Sequence, residues 1–205
     1  MSVIIAAVGG QGALLAARVL ARYALLKGNA VKVSEVHGMS QRGGSVVTHV
    51  RFGDVVHSPV IEHGTADALV GFELLEAARH APSVRSGGLL IANTHRILPL
   101  PVLTGSVKYP NNLEATLSAL PLQCLFLDAH RHAEALGQIR TVNTLLLGVL
   151  ARHISTELEL WAEALRQSVS SDTIRINLTA FNSGWSLFDT SNIIEHNISR
   201  EKAQP

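Results

Sequence analysis

Two short stretches of this 205-residue chain carry most of the side chains suited to chemistry. The first is Ala7-Val8-Gly9-Gly10-Gln11-Gly12, set between an apolar run and an Ala/Leu-rich segment. It approaches the dinucleotide-binding pattern G-x-G-x-x-G, with Ala7 in the first glycine slot. Glycines there let a ligand come close to the backbone. The N-terminus of the following helix offers free N–H groups and the positive end of a dipole to an anion. The same residues also read as a tight strand-to-helix turn without a ligand. The acid expected about 20 residues further on is Glu35, placed to hold a ribose hydroxyl or to pair with Arg42.

The second stretch is His37-Gly38-Met39-Ser40-Gln41-Arg42-Gly43-Gly44. Here histidine, serine, glutamine and arginine stand among glycines. Glycine weakens a fold unless φ must be positive or something approaches the backbone. Polar donors on such a loop suit a phosphate, a carboxylate or a partner's backbone. The plainer alternative is a surface loop in which Arg42 makes an ordinary ion pair. Asn143 is a further candidate, at the head of a helical segment, either facing the ligand edge or acting as a cap. None of these residues is assigned as a catalytic acid, base or nucleophile.

Other chemistries are poorly supplied. The one cysteine, Cys124, lies in an apolar segment and reads as a reduced, buried thiol. One cysteine builds no disulfide framework, structural zinc site or iron–sulfur cluster. The histidines show no metal-ligand spacing, and His130 and His132 diverge from a helix start. No G-x-S-x-G, H-E-x-x-H or P-loop lysine is present. A formal net charge of +1 gives no field to recruit nucleic acid or an acidic membrane. The N-terminus lacks a basic leader, and no apolar run reaches the roughly 18–20 residues of a membrane span. A soluble, cytoplasmic protein is expected.

The elements that must position these loops follow from periodicity. Residues 3–8 form an apolar run suited to a strand buried on both faces. A helix is predicted over 13–27, closed by Gly28, with Arg18 and Arg22 as its solvent stripe. A strand over 31–36 follows. Residues 45–52 and 55–57, around Gly53-Asp54, predict a hairpin added antiparallel to the sheet. Strands over 66–72, 89–92 and 123–127 alternate with helices over 73–81, 113–120 and 129–136, with a weak strand over 102–109. Helices over 141–154 and 156–169 come next, the latter behind the capping box Thr156-Glu157-Leu158-Glu159. A short helix over 177–188 ends the series. The predicted class is α/β: a three-layer Rossmann-like fold, mainly parallel, with helices on both faces and a hairpin addition. One domain over 1–190 and a polar, flexible tail over 191–205 are expected. Both glycine loops follow strands and so belong on the carboxyl edge of the sheet, where ligands bind.

Several segments also carry a resemblance. Val8-Gly9-Gly10-Gln11-Gly12, residues 34–46 and His49-Val50-Arg51-Phe52-Gly53 closely resemble the beta subunits of indolepyruvate ferredoxin oxidoreductases. Ala66-Asp67, Ile91-Ala92-Asn93-Thr94, Pro99-Leu100-Pro101-Val102, residues 142–148 and residues 177–181 agree with it. The wider group is the gamma-type domain of the 2-oxoacid:ferredoxin oxidoreductase family, matched over residues 3–188. Ala7 departs from it, since relatives often carry glycine there. The resemblance implies oxidative decarboxylation of an arylpyruvate to an aryl-acetyl-CoA, with electrons passed to ferredoxin. It implies thiamine diphosphate, Mg2+ and iron–sulfur clusters on a larger alpha partner, and coenzyme A as co-substrate. No cofactor is then bound by this chain alone, and the isolated chain is inactive; a homodimer stays open. Gly9, Gly10, Gln11 and Gly12 would offer N–H groups to a coenzyme A phosphate or a substrate carboxylate. His37 and Arg42 would supply charge or hydrogen bonds. The alternatives are a gamma subunit acting on pyruvate, 2-oxoglutarate or branched-chain acids, a free-standing nucleotide-binding oxidoreductase, and a non-catalytic scaffold.

Overall fold

The N-terminal apolar run becomes β1 (Ser2–Val8), buried at every position after the first. Continuous burial requires cover on both faces, and the rest of the chain supplies it. The structure, a computed structural model, describes residues 1–38, 43–190 and 194–195. In order after β1 come α1 (Ala13–Leu26), β2 (Ala30–His37), β3 (Ser45–Gly53), β4 (Ala66–Gly71), α2 (Leu74–His80) and β5 (Val84–Asn93). Then follow α3 (Leu100–Leu103), α4 (Leu113–Ser118), β6 (Gln123–Leu127), α5 (Ala129–Ala135), α6 (Val142–Ile154), α7 (Leu158–Arg166), α8 (Ile174–Thr190) and β7 (Ile194–Glu195).

The strands form one seven-stranded sheet in the order β2-β3-β1-β4-β5-β6-β7. β1, β4, β5 and β6 are parallel. β3 runs antiparallel to both β1 and β2, and β7 antiparallel to β6. The α/β class, the largely parallel sheet and the helices on both faces are therefore as expected. One layer holds α1 and α5 to α8 over a core that includes Tyr23, Trp161 and Phe181. The Tyr23 and Trp161 rings stack at 3.7 Å. In that layer α6 and α8 cross backbone to backbone at Gly148 and Gly184, where a Cβ would run into the carbonyls of Phe181 and Leu145. The opposite layer holds α2 and α4, with Leu74, Leu90, Leu113 and Leu117. Each such fully buried leucine contributes about 1.5–3 kcal/mol.

Several local expectations change. The hairpin is β2–β3, closed across residues 38–44, and residues 55–57 form no strand. The register from Ala30↔Gly53 to His37↔Val46 pairs the whole of β2, which three residues after Gly53-Asp54 cannot match. β2 is thus an edge strand, mostly exposed. The strand expected over 102–109 is instead the short helix α3 and a turn through Gly105, at φ 76°; Pro99 and Pro101 favour a helix start over a ladder. The capping box does not form. Glu157 is the N-cap of α7, and its carboxylate meets Lys27 at 2.6 Å and Tyr23 at 3.1 Å. The final helix begins at Ile174 and is 17 residues long. Within the expected tail, Ile194 and Glu195 pair with β6; the rest of 191–205 lies outside the described residues. Arg18 and Arg22 are exposed on α1 as expected. Among the described residues no helix is long and apolar enough to cross a membrane.

Candidate functional site

The direction of strand order reverses between β1 and β4, and in open α/β sheets such a switch point opens a crevice at the carboxyl edge. Here polar side chains fill it. The turn after β1 needs positive φ at Gly10 (101°) and Gly12 (82°), conformations that glycine alone adopts freely. That path swings Gln11 back into the gap. Its Oε1 accepts from Val8 N–H at 2.7 Å, and its Nε2 donates to the Phe72 carbonyl at 3.0 Å. The Phe72 carbonyl also accepts from Asn93 Nδ2 at 3.1 Å, while Asn93 Oδ1 accepts from Ala129 N–H at 3.1 Å. The ends of β1, β4 and β5 and the start of α5 are thereby tied together.

Asn143 closes the turn from the other side. Its Nδ2 donates to the Gly12 carbonyl at 3.3 Å, and a Cβ on Gly12 would stand 2.5 Å from that nitrogen. Asn143 is not the N-cap of α6, a position held by Thr141, but its Oδ1 accepts from Thr144 N–H in the first turn at 2.8 Å. Gln11 and Asn143, two of the candidates for ligand contact, thus also brace the turn, and both line a cleft beside it. A side chain that follows the glycine and one that follows the ligand look alike in sequence.

The two glycine loops do meet on one edge. Gly9 N–H donates to the Gly44 carbonyl at 2.8 Å, and Gly43 N–H to the Gly9 carbonyl at 3.4 Å. Gln11 N–H donates to Val8, so among the described residues the N–H groups of Gly10 and Gly12 have no backbone acceptor. Beside them Glu35 and His37 project from the same face of β2, with His37 Nε2 4.0 Å from Glu35 Oε1. Together with Leu14 they line a cleft of about 390 Å³ at the head of α1. Gly38 is exposed at the end of β2. Met39, Ser40, Gln41 and Arg42 lie outside the described residues, and with them the Glu35–Arg42 pair.

A wider cleft of about 550 Å³ opens on the α2 side, between Gly43, Gly44 and Ser45 and the apolar residues 97–103. Two buried acids form its floor. Glu76 accepts from Ser45 Oγ at 2.5 Å and lies 3.4 Å from Arg79. Burial raises its pKa against the opposing pull of Ser45 and Arg79. Glu73 caps α2 by accepting from Leu75 and Glu76 N–H at 2.7 and 3.0 Å. It also accepts from Ile97 N–H at 3.3 Å and Tyr109 OH at 2.6 Å. Burial first, and then Glu73, pushes the Tyr109 hydroxyl well above its usual pKa. Sequence reading passed over Glu73, Asn93 and Tyr109. The available signal was position, because Glu73 and Asn93 each stand at the carboxyl end of a strand.

A third cleft, about 420 Å³, lies across the glycine turn and is lined by Gly10, Gly12, His130, Arg140 and Asn143. His130 does turn away from His132, but toward His95, on which it stacks at 3.8 Å. Burial, then the neighbouring His130, holds the His95 pKa down. Among the described residues no three His, Cys, Asp or Glu side chains converge as a metal site. The Cys124 sulfur is buried against the Leu117 carbonyl, and burial pushes its thiol up to about 11. One cysteine in the sequence does not fit an iron–sulfur cluster, and the donor set of the described residues does not fit a Mg2+–thiamine diphosphate pair.

The sequence profile of the family described as pyruvate ferredoxin/flavodoxin oxidoreductase matches residues 2–187. The chain is 35% identical to the indolepyruvate oxidoreductase subunit IorB of Archaeoglobus fulgidus, over 90% of this chain and 94% of that protein. It is 30% identical to the ketoisovalerate oxidoreductase subunit VorA of Methanothermobacter marburgensis, over 88% of this chain but 35% of that longer one. The fold is that of the keto/oxoacid ferredoxin oxidoreductase gamma subunit of Geobacter sulfurreducens, with a TM-score of 0.69 at 19% identity, covering 92% of this chain and 98% of that one.

Proposed function

This chain belongs to the pyruvate ferredoxin/flavodoxin oxidoreductase family, and from that premise we propose that it is the small subunit of an indolepyruvate (arylpyruvate):ferredoxin oxidoreductase. The observation that carries this is near full-length similarity, in both directions, to an indolepyruvate oxidoreductase subunit. The complex converts an aryl 2-oxoacid and coenzyme A to an aryl-acetyl-CoA and carbon dioxide, and passes the electrons to ferredoxin. Thiamine diphosphate with Mg2+ supplies the decarboxylation chemistry and iron–sulfur clusters the electron path, all on a larger partner subunit. With one cysteine, this chain cannot by itself supply the thiolates of an iron–sulfur cluster, which is in keeping with that division.

The part left to this chain is to bind and to enclose. The N–H groups of Gly10 and Gly12, at the positive end of α1 and without a backbone acceptor among the described residues, suit an anionic group of substrate or coenzyme A. His37 and Glu35 stand beside them, able to donate and accept at the same cleft. The test is a substrate profile of the assembled complex under anaerobic conditions. Indolepyruvate or phenylpyruvate should give the highest kcat/KM. Preference for pyruvate, 2-oxoglutarate or a branched-chain acid would move the chain to another branch of the family.

A further inference from the structure

Between β5 and α4 the chain sends out an arm, residues 98–107, that combines two unfavourable features. Leu100 is 70% exposed and Leu103 66%, with Leu98 and Val107 also in solvent. Contiguous apolar groups left in water mark a contact surface more often than a defect. Yet the arm is no loose loop. Its root is held by the buried Glu73 carboxylate through Ile97 N–H and Tyr109 OH, and Arg96 covers the Tyr109 ring at 5.4 Å. Burying a carboxylate is costly unless its hydrogen bonds are filled. In the isolated chain that arrangement only fixes apolar side chains where water meets them. Against a partner it fixes a preformed docking face, with little ordering left to lose on binding.

We propose that the 98–107 arm is the surface through which this chain docks on the large subunit of its complex. The proposal rests on the subunit reading above. The arm stands on the carboxyl edge, forming the outer wall of the cleft that Gly43, Gly44 and Ser45 close from the other side. A partner covering the arm therefore reaches Gly43 and Gly44, which bond Gly9 of the glycine turn. What covers it is another part of the same enzyme: in the longer relative a unit like this chain makes up 35% of one polypeptide, so its neighbour there is the remainder of that polypeptide. Arg96 and Lys108 flank the arm and are exposed, while Arg79 in the cleft is already paired with Glu76, so the partner face is apolar at its centre with carboxylates at the margin near Arg96 and Lys108.

The double variant Leu100→Asp/Leu103→Asp tests this by co-expression with the large subunit encoded by the same host. The variant chain should keep its thermal midpoint, since both side chains already face water, and its affinity for the large subunit should fall about tenfold or more. Val55→Asp, equally exposed at 69% but remote in sequence, should bind as the wild type does. Unchanged binding of the double variant would overturn the docking surface alone. Failure of the wild-type chain to bind at all would overturn the subunit reading and this proposal with it. A second measurement needs no loss of binding. Cys124 is buried, so a Leu100→Cys chain offers one reactive thiol, whose maleimide labelling should slow in the complex; an unchanged rate would contradict the proposal.

Discussion

The switch point between β1 and β4 and the 98–107 arm stand on the same edge of the sheet and use their side chains in opposite ways. At the switch point the residues are polar, and their polarity is consumed inside the protein. Gln11 binds Val8 and Phe72, Asn93 binds Phe72 and Ala129, and Asn143 binds Gly12. In the arm the residues are apolar, and they are turned outward. A glutamine inside a glycine loop therefore need not face a ligand, and a leucine need not be core. On this edge the polar braces tie the backbone together, and on the proposed reading the backbone N–H groups and the outer apolar wall are what a second molecule would meet.

The most disruptive way to break that contrast is Gln11→Ala. It leaves Val8 N–H and the Phe72 carbonyl short of a partner, which should lower unfolding free energy by about 1–3 kcal/mol in a urea titration. Aspartate at Leu100 should change the same quantity by no more than about 0.5 kcal/mol. If Gln11→Ala keeps full stability and only raises the KM of the complex, Gln11 is a ligand contact and the contrast fails.

A smaller effect is expected at Glu76, which belongs to both regions through Ser45 and the cleft floor. Burial raises its pKa above the ordinary 4.5. A carboxyl shifted upward adds stability that is fully present below its unfolded pKa and lost as pH rises through its folded pKa. Glu76→Gln keeps an acceptor for Ser45 and removes that loss. Relative to the wild type, the variant should gain stability between acid and neutral pH and stay level above the folded pKa. A gain that does not grow with pH would mean that Ser45 and Arg79 outweigh burial.

Much of this arrangement could be read from sequence where the determinant is local. The unbroken apolar run of β1, the glycine close to α1 and the alternation from β4 to α6 follow from period and composition, as does the gathering of both glycine loops on one edge. What escaped depends on distant partners. β2 pairs with β3 because a full-length register exists between them, which no window around Gly53 reveals. The box at Thr156 and Glu159 gave way because Glu157 turned to Lys27 and Tyr23, about 130 residues earlier in the chain. In the site, Glu35 and His37 share a cleft with the glycine turn, while the backbone bonds of Gln11 and Asn143 to Val8, Phe72 and Gly12 could not be read from sequence. Residues 39–42 belong to the proposed loop by sequence alone.

The central claim is that this chain completes an active site whose reactive cofactors are carried by another subunit. An anaerobic add-back assay tests it most directly. The large subunit is purified without this chain, loaded with its cofactors, and assayed for arylpyruvate- and coenzyme A-dependent reduction of ferredoxin. Turnover should be low with either subunit alone and should rise to a plateau as this chain reaches equal stoichiometry. Full turnover by the large subunit alone, unchanged by adding this chain, would contradict the account.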